Sequence, residues 1–157
     1  MTKISLRRIK KSDIHYFKKW WQDADLIART SGNFEYLSDT QIKKYFGAIL
    51  RYDWDFLILL NTKVIGHISL AKRKNGWRET QIVIGDKKEW GKGYGTKAIQ
   101  LVLSRAKKKG ITKIYLEVRP NNIGAIKAYE KCGFIAINIK NYPHNKNLSQ
   151  TLRMELV

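Results

Sequence analysis

The chain has 157 residues, of which 43% are apolar and 11% aromatic, a size and composition that suit one domain over residues 1–157 with its own core. Its single cysteine excludes an internal disulfide framework and fits a reducing cytoplasm, and no apolar run is long enough for a membrane-spanning helix. The net charge of +18 is spread along the chain, which predicts a lysine-rich solvated surface with at most weak attraction for polyanions, including ribosomes.

The elements of the first half are predicted from alternation and from the helical spacing of apolar residues. Ser12 and Ser38 each precede an amphipathic segment, and serine is a favoured helix N-cap. The inward side of the second helix is predicted to carry Ile42, Tyr45, Phe46, Ile49 and Leu50. In chain order, the predicted elements are a strand near 3–9, a helix over about 13–23, a loop at 30–33 and a helix over about 39–51.

Short strands and two further helices are predicted for the second half. The polar turn Asn61-Thr62-Lys63 between two apolar runs predicts a hairpin. Gly110 and Gly133 are each predicted to end a helix, Gly133 with a positive φ. The predicted elements are strands at 54–60, 64–70 and 78–84, a helix over 94–109, a strand at 113–118, a helix over 122–132, and strands at 134–139 and 152–157 joined by a loop at 142–147.

The segment 82–98 carries a glycine-rich loop between a β-branched run and a helix. Gly91, Gly93 and Gly95 stand at every second position, so the backbone can turn tightly and bring consecutive N–H groups close to an anion. The helix that follows adds unpaired donors and its positive dipole end, and Lys92 adds charge. On spacing alone, the loop is either a diphosphate site or an ordinary strand-to-helix turn.

A second segment decides between these interpretations. It reads Asn122-x-x-Ala125-(x3)-Tyr129-Glu-Lys-x-Gly133-Phe134. Together with the glycine loop, it resembles the signature of the GNAT superfamily of acetyl-CoA-dependent N-acetyltransferases.

The resemblance covers the motifs from about residue 82 to residue 134, with one departure. The family's Gln or Arg ahead of the glycine loop is Trp90 here, a form similar to the ribosomal-protein alanine and aminoglycoside acetyltransferase branches. The resemblance implies an α+β fold, with a mixed, mostly antiparallel sheet of about seven strands and four helices in the order βααβββαβαββ.

The resemblance also implies that acetyl-CoA is the cosubstrate. The loop's N–H groups would hold the diphosphate, and the end of the fourth strand would pair by its backbone with the pantetheine arm. Asn122 would contact coenzyme A, although an Asn at this place is also a favoured N-cap. The implied coenzyme-binding residues are Ile82, Val83, Ile84, Gly91, Lys92, Gly93, Tyr94, Gly95, Thr96, Asn122 and Ala125.

Three residues are candidates for acid–base catalysis. The resemblance implies that Tyr129 protonates the departing thiolate, and a phenol with a pKa of about 10 can do so at neutral pH. From spacing alone, Tyr129 is a core aromatic. Glu117 matches the general base of the ribosomal-protein branch, which acts through water, and Glu79 is the rival because other branches place their base there. Either carboxylate could instead be a surface ion pair, and Cys132 is predicted to be a structural thiol.

The acceptor is expected to be a primary amine, either a protein N-terminus, as on a ribosomal protein, or a small molecule such as an aminoglycoside or polyamine. Trp20 and Trp21 are predicted to form core and acceptor-side wall, and Asp23 and Asp25 are candidate acceptor ligands. The acidic residues of this region, Glu35 among them, are outnumbered by cations, which favours a protein or a modestly charged acceptor.

The sequence also bears on metal binding, on an alternative without catalysis, and on the location of the protein. The three histidines lack metal-ligand spacing, so no metal is predicted. The alternative of another class is a catalytically inactive module that binds nucleic acid or ribosomes. The protein is expected to be cytoplasmic, without a membrane partner, and a monomer or a homodimer.

Overall fold

The computed structural model of the protein describes residues 2–30 and 37–157. These residues form a seven-stranded sheet in the order β1-β2-β3-β4-β5-β7-β6, with five α-helices. The elements are β1 (Ile4–Arg8), α1 (Ile14–Trp21), α2 (Ala24–Thr30), α3 (Asp39–Leu50), β2 (Asp55–Leu60), β3 (Lys63–Lys72), β4 (Arg78–Ile84), α4 (Tyr94–Lys108), β5 (Ile114–Val118), α5 (Ile123–Lys131), β6 (Phe134–Asn141) and β7 (Gln150–Leu156).

The α+β class and the seven strands are confirmed, but the count of four helices is wrong because α2 was not predicted. This helix has only seven residues, and Leu26 is its one buried apolar side chain, so no helical period can be read from it. Asp23 caps it, since its Oδ1 accepts the N–H of Leu26 at 3.1 Å. Tyr45 was expected to face the core, but it is 45% exposed. Residues 31–33 of the predicted loop, and Glu35, lie outside the described residues.

One pairing of the sheet differs from the others, because β4 and β5 run parallel while every other neighbouring pair is antiparallel. The ladder between them has two pairs, Arg78 with Ile114 and Glu79 with Tyr115. Beyond these pairs the two strands continue to Ile84 and Val118 without bonding to each other. The sheet therefore opens into a cleft at the carboxyl ends of β4 and β5.

Strand alternation distributes the residues of β4 and β5 over the two faces of the sheet. Ile82, Ile84, Leu116 and Val118 belong to the larger apolar core with α4 and α5. Val83 packs on the opposite face, where Phe17, Trp20, Leu26, Phe46 and Leu57 form a second core with α1, α2 and α3. Glu117 alternates with Leu116 and Val118, so it lies on this second face. We call it the acceptor face, because Trp20 and Trp21 on it are the predicted acceptor-side wall, and we call the other the α4 face.

Gly133 follows α5 with φ at +100°, as the sequence predicts for the end of this helix. A Cβ added there would lie 3.4 Å from Leu156 Cδ1, at the limit of an ordinary van der Waals contact, so the main cost of a side chain is backbone strain. We expect Gly133→Val to lower the free energy of unfolding by about 1–3 kcal/mol. Urea denaturation measures this change.

Gly124 provides the matched control in the same helix. A Cβ there meets nothing within 4 Å, and its φ is not positive. Gly124→Ala is therefore expected to raise the free energy of unfolding by about 0.5–1 kcal/mol. A Gly133→Val protein as stable as wild type would show that the strain assigned to this position is wrong.

Candidate active site

The glycine loop has the backbone geometry that its sequence predicts. Gly91 and Gly93 have φ at +75° and +82°, a region that other residues rarely adopt, and Gly93 is the N-cap of α4. Gly95 has an ordinary φ, but a Cβ there would lie 3.7 Å from Ile82 Cδ1 and 3.9 Å from Ile84 Cγ1. The first two glycines permit the turn, whereas a Cβ at the third would make ordinary van der Waals contacts with β4, so only a larger side chain would crowd the strand.

The N–H groups of residues 91–96 donate no hydrogen bond to any described residue. The first bond of the helix is from the Lys97 N–H to the Gly93 carbonyl, at 3.2 Å. Six successive backbone donors are therefore free beside the positive end of a 15-residue helix. This arrangement suits a phosphate group. The Lys92 ammonium lies 3.2 Å from Glu89, so its charge is partly balanced within the loop.

Trp90 connects the loop to the end of β4, a role that the sequence did not reveal. Its indole N–H donates to the Ile84 carbonyl at 2.7 Å, and the Arg29 guanidinium lies 5.4 Å from the ring centroid. In the sequence, Trp90 was only a departure from the family's loop. No spacing or period links residues 84 and 90, so this contact could not be predicted.

At the cleft, β4 has an unpaired hydrogen-bonding edge along part of its length. From Thr80 onward, the side of β4 that faces β5 has no strand partner among the described residues. Ile82, Val83 and Ile84 line this stretch, directly before the glycine loop. An extended ligand arm could lie here as an added strand, with its anionic end at the free N–H groups of the loop.

Asn122 begins α5 on the other side of the cleft. Its Oδ1 accepts the N–H of Ala125 at 3.2 Å, so the predicted N-cap is confirmed. The side-chain amide keeps its two N–H donors for another partner. Contact with coenzyme A through Asn122 and Ala125 stays a prediction.

Tyr129 lies on α5 with its ring against the core of the α4 face. The ring is 6.3 Å from that of Phe134, between centroids, and the hydroxyl has no hydrogen bond to any described residue. Burial, and to a lesser extent Cys132, raises the pKa of the Tyr129 phenol above its ordinary value. The ring is thus part of the core, and the hydroxyl is a protonated donor that no described residue accepts from.

Cys132 brings the end of α5 against the start of α4. Its thiol lies 3.8 Å from the Thr96 carbonyl oxygen, and burial raises the pKa of this thiol. A protonated thiol is a poor nucleophile, which agrees with the structural role expected for it. This contact also places the helix that carries Tyr129 beside the glycine loop.

Glu117 lies on the acceptor face and is held by two hydroxyl groups. Tyr142 Oη and Thr151 Oγ1 both donate to its Oε1, each at 2.5 Å. Glu79, the rival base, instead makes an ion pair with Arg73, with Oε2 at 2.7 Å from Nη2. The surface ion pair considered for both carboxylates is therefore present at Glu79, while no cation pairs with Glu117 among the described residues.

The comparison with known families gives evidence that does not depend on the geometry of these residues. Residues 3–135 match the family model described as the acetyltransferase (GNAT) domain. The chain belongs to this family. Its enzyme class is therefore acetyl-CoA-dependent N-acetyltransferase, as the resemblance implied.

Individual relatives of this GNAT chain are distant. An uncharacterized protein of Methanocaldococcus jannaschii is 28% identical over 141 residues, which cover 85% of this chain but only 28% of that protein. The aminoglycoside N(6')-acetyltransferase type 1 of Klebsiella pneumoniae is 25% identical over 148 residues, 83% of this chain and 73% of the relative. The spermidine N-acetyltransferase of Vibrio cholerae, solved with CoA and spermine, superposes with a TM-score of 0.82 at 20% identity over 98% of this chain and 94% of that one.

The tryptophans proposed as the acceptor-side wall of this acetyltransferase differ in burial. Trp20 is 5% exposed, and a Cβ at Gly85 would overlap its indole, so Trp20 belongs to the core. Trp21 is half-buried, with its ring centroid 5.1 Å from that of Phe17 and 6.5 Å from that of Tyr45. Only Trp21 keeps part of its ring available to a ligand.

Asp23 and Asp25 both make ion pairs with Lys87, at 2.9 Å and 3.1 Å. The hydrogen bond from Lys87 lowers the pKa of Asp23, and the hydrogen bond from Arg29 is the larger cause that lowers the pKa of Asp25. Their role as acceptor ligands stays a prediction. Lys87 precedes the glycine loop, and sequence reasoning did not identify it because 64 residues separate it from Asp23.

No group of three His, Cys, Asp or Glu side chains is placed to hold a metal ion in residues 2–30 and 37–157. No helix in the part of the chain that the structure describes is long and apolar enough to cross a membrane.

Proposed function

We propose that this N-acetyltransferase acetylates an acceptor that presents one primary amine, with a protein N-terminus, such as that of a ribosomal protein, as the first candidate. The observation that carries this proposal is the charge pairing near the acceptor face. Asp23, Asp25 and Glu79 are each bound to a cation, whereas Glu117 is bound only to hydroxyl groups. Among these carboxylates of the described residues, the one without a cation, that of Glu117, complements one ammonium group.

The proposed mechanism is direct attack of the amine nitrogen on the thioester carbonyl. The C–N bond forms, the C–S bond breaks, the amine proton passes to Glu117 directly or through water, and Tyr129 gives its proton to the departing sulfur. Glu117 lies on the acceptor face and Tyr129 packs on the α4 face, so in this mechanism the two proton transfers occur on opposite faces of the sheet. Holding both reactants in one cleft can supply about 7–11 kcal/mol of the acceleration.

A small polyamine or aminoglycoside is the second candidate, because two of the similar proteins carry those substrates in their names. Such acceptors have several ammonium groups and call for several free carboxylates. To bind such an acceptor, the carboxylates that pair with Lys87 or Arg73 would have to break those ion pairs and bind the ammonium groups of the ligand instead. The +18 charge also disfavours polycations, whereas weak attraction to a ribosome would favour acceptors found there.

An amine panel tests the acceptor class. We expect acetyl-CoA turnover with unblocked peptides at a kcat/KM at least about tenfold above that with spermidine or an aminoglycoside, a difference of about 1.4 kcal/mol in transition-state binding. The same peptides with acetylated N-termini are the control and should be inert. Preference for spermidine or the aminoglycoside would assign the enzyme to small-molecule acceptors.

Acetyl-CoA binding separates the enzyme from the inactive binding module. Ligand at 100 times its Kd adds about 2.7 kcal/mol to the stability of the folded state, which a thermal shift detects. A melting temperature unchanged by millimolar acetyl-CoA would contradict the enzymatic function.

A further inference from the structure

Two hydroxyl groups converge on a single carboxylate oxygen at the acceptor face. Thr151 is 4% exposed, and its Oγ1 donates to the same Oε1 of Glu117 that accepts from Tyr142. An ionised carboxylate only accepts hydrogen bonds, so both hydroxyls act as donors. The other oxygen, Oε2, has no hydrogen-bond partner among the described residues.

The charged groups around Glu117 are engaged elsewhere. Arg153 stands opposite Glu117 in the β5–β7 ladder, but its Nε donates to Glu155 at 2.8 Å and its guanidinium carbon lies 3.8 Å from the Tyr115 ring centroid. Arg119, the next residue of this face, donates to the carbonyls of Ala28 and Asn147. Glu79 on β4 is balanced by Arg73. The charge of Glu117 is therefore available to a ligand.

Tyr142 begins the loop between β6 and β7, and this loop curves around a hollow that is open to solvent. Residues 141–147 line a space of about 640 Å³, and the bond from Arg119 to Asn147 ties the loop to β5. Burial, followed by the hydrogen bond to Glu117, raises the pKa of Tyr142 to about 12. The phenol therefore remains a donor throughout the pH range in which an amine is acetylated.

We propose that Tyr142 and Thr151 are positioning residues of the acceptor site. Their hydroxyls fix Oε1 of Glu117, and Oε2 then accepts the hydrogen bond and the proton of a single primary amine held beside the 142–147 loop. This inference rests on the proposed function, because it needs an amine acceptor. It goes beyond that function by assigning the fixing of this carboxylate oxygen to two residues outside the coenzyme motifs.

Matched substitutions at Thr151 and Tyr142 test the proposal. Thr151→Val keeps the volume and removes the hydroxyl, whereas Thr151→Ser keeps the hydroxyl and loses a buried methyl group. Tyr142→Phe removes the other donor, and Tyr52→Phe is the control on a residue that is 57% exposed. For each variant we would measure kcat and KM for the best amine of the panel, KM for acetyl-CoA, and the melting temperature.

Hydrogen bonds to a charged group are the stronger kind, so we expect Tyr142→Phe and Thr151→Val to lower kcat/KM for the amine by about 10- to 100-fold. KM for acetyl-CoA should stay unchanged, Thr151→Ser should retain most of the activity, and Tyr52→Phe should equal wild type. Thr151→Ser should nevertheless melt below Thr151→Val, because it loses packed volume. Thr151→Ser would then be the more active but the less stable of the two Thr151 variants. A purely structural role for Thr151 would not produce this result.

The results that would contradict this proposal differ from those that would contradict the proposed function. Wild-type kcat/KM in both Tyr142→Phe and Thr151→Val, or losses of activity that follow the losses of stability, would overturn this proposal and leave the proposed function intact. A wild-type protein that acetylates no amine of the panel would overturn both.

Discussion

Replacing Tyr129 with Phe is expected to lower kcat by about 10- to 1,000-fold and to leave KM for acetyl-CoA little changed. The substitution keeps the ring against Phe134 and removes only a hydroxyl that has no partner among the described residues. The loss would therefore report on proton donation to the thiolate and not on packing. Steady-state kinetics with a working amine measures it, with Tyr52→Phe as the control on an exposed phenol.

The pH dependence of Tyr129→Phe has a defined sign. Burial raises the pKa of Tyr129, so the phenol is fully protonated at neutral pH. It loses its proton only above the ordinary tyrosine pKa of about 10. Wild-type kcat should show no alkaline loss from this group below about pH 10. Glu117→Gln should behave differently and keep residual activity at high pH, where the amine is already uncharged. Full activity in Tyr129→Phe would remove the general acid and leave positioning by the glycine loop as the main catalytic device.

Gly93→Val is expected to abolish acetyl-CoA binding in a thermal-shift or calorimetric titration. Gly93 has φ at +82°, so a β-branched residue would shift the turn whose free N–H groups form the phosphate site. Gly95→Val should act likewise, because its side chain would press on Ile82 and Ile84. Lys92→Ala should weaken binding only modestly and in a salt-dependent way, since Lys92 already pairs with Glu89.

Gly110 is the matched control for the loop substitutions. It has φ at +74° after α4, and a Cβ there meets nothing within 4 Å, as at Gly93. Gly110→Val should therefore cost a similar amount of stability, about 1–3 kcal/mol, and still bind acetyl-CoA. Acetyl-CoA affinity retained in Gly93→Val and Gly95→Val would show that the loop is only a turn.

The features that sequence predicted are those with a local signature. Alternation marked the strands, helical spacing placed Ile42 and Phe46 on the buried side of α3, and the glycine spacing identified the free-donor turn. Asn122 and Gly133 are end signals of α5 that depend on a few neighbouring residues. Predictions from such signals agree with the structure because they depend only on the backbone conformation of a few neighbouring residues.

The features that sequence could not predict are contacts between distant residues. Glu117 and Tyr142 are 25 residues apart, and Lys87 and Asp23 are 64 apart. No period or motif connects such pairs, so the sequence could not distinguish Glu117, which is bound by hydroxyl groups, from Asp23, which is paired with a cation. The cleft was hidden for a related reason, since alternation reveals a strand but not where its pairing with a neighbour stops.

The separation of β4 from β5 also changes the number of sheet edges that the protein must protect. β1 and β6 are the outer edges, and the cleft adds two inner ones within the described sheet. Unpaired edges are places where another strand can add, and proteins usually blunt or cover them. A pantetheine arm along β4 would cover one inner edge and fill the space before the other. The coenzyme would thus complete the sheet as well as supply the acetyl group, and the empty protein would carry the greater hazard of strand-mediated aggregation.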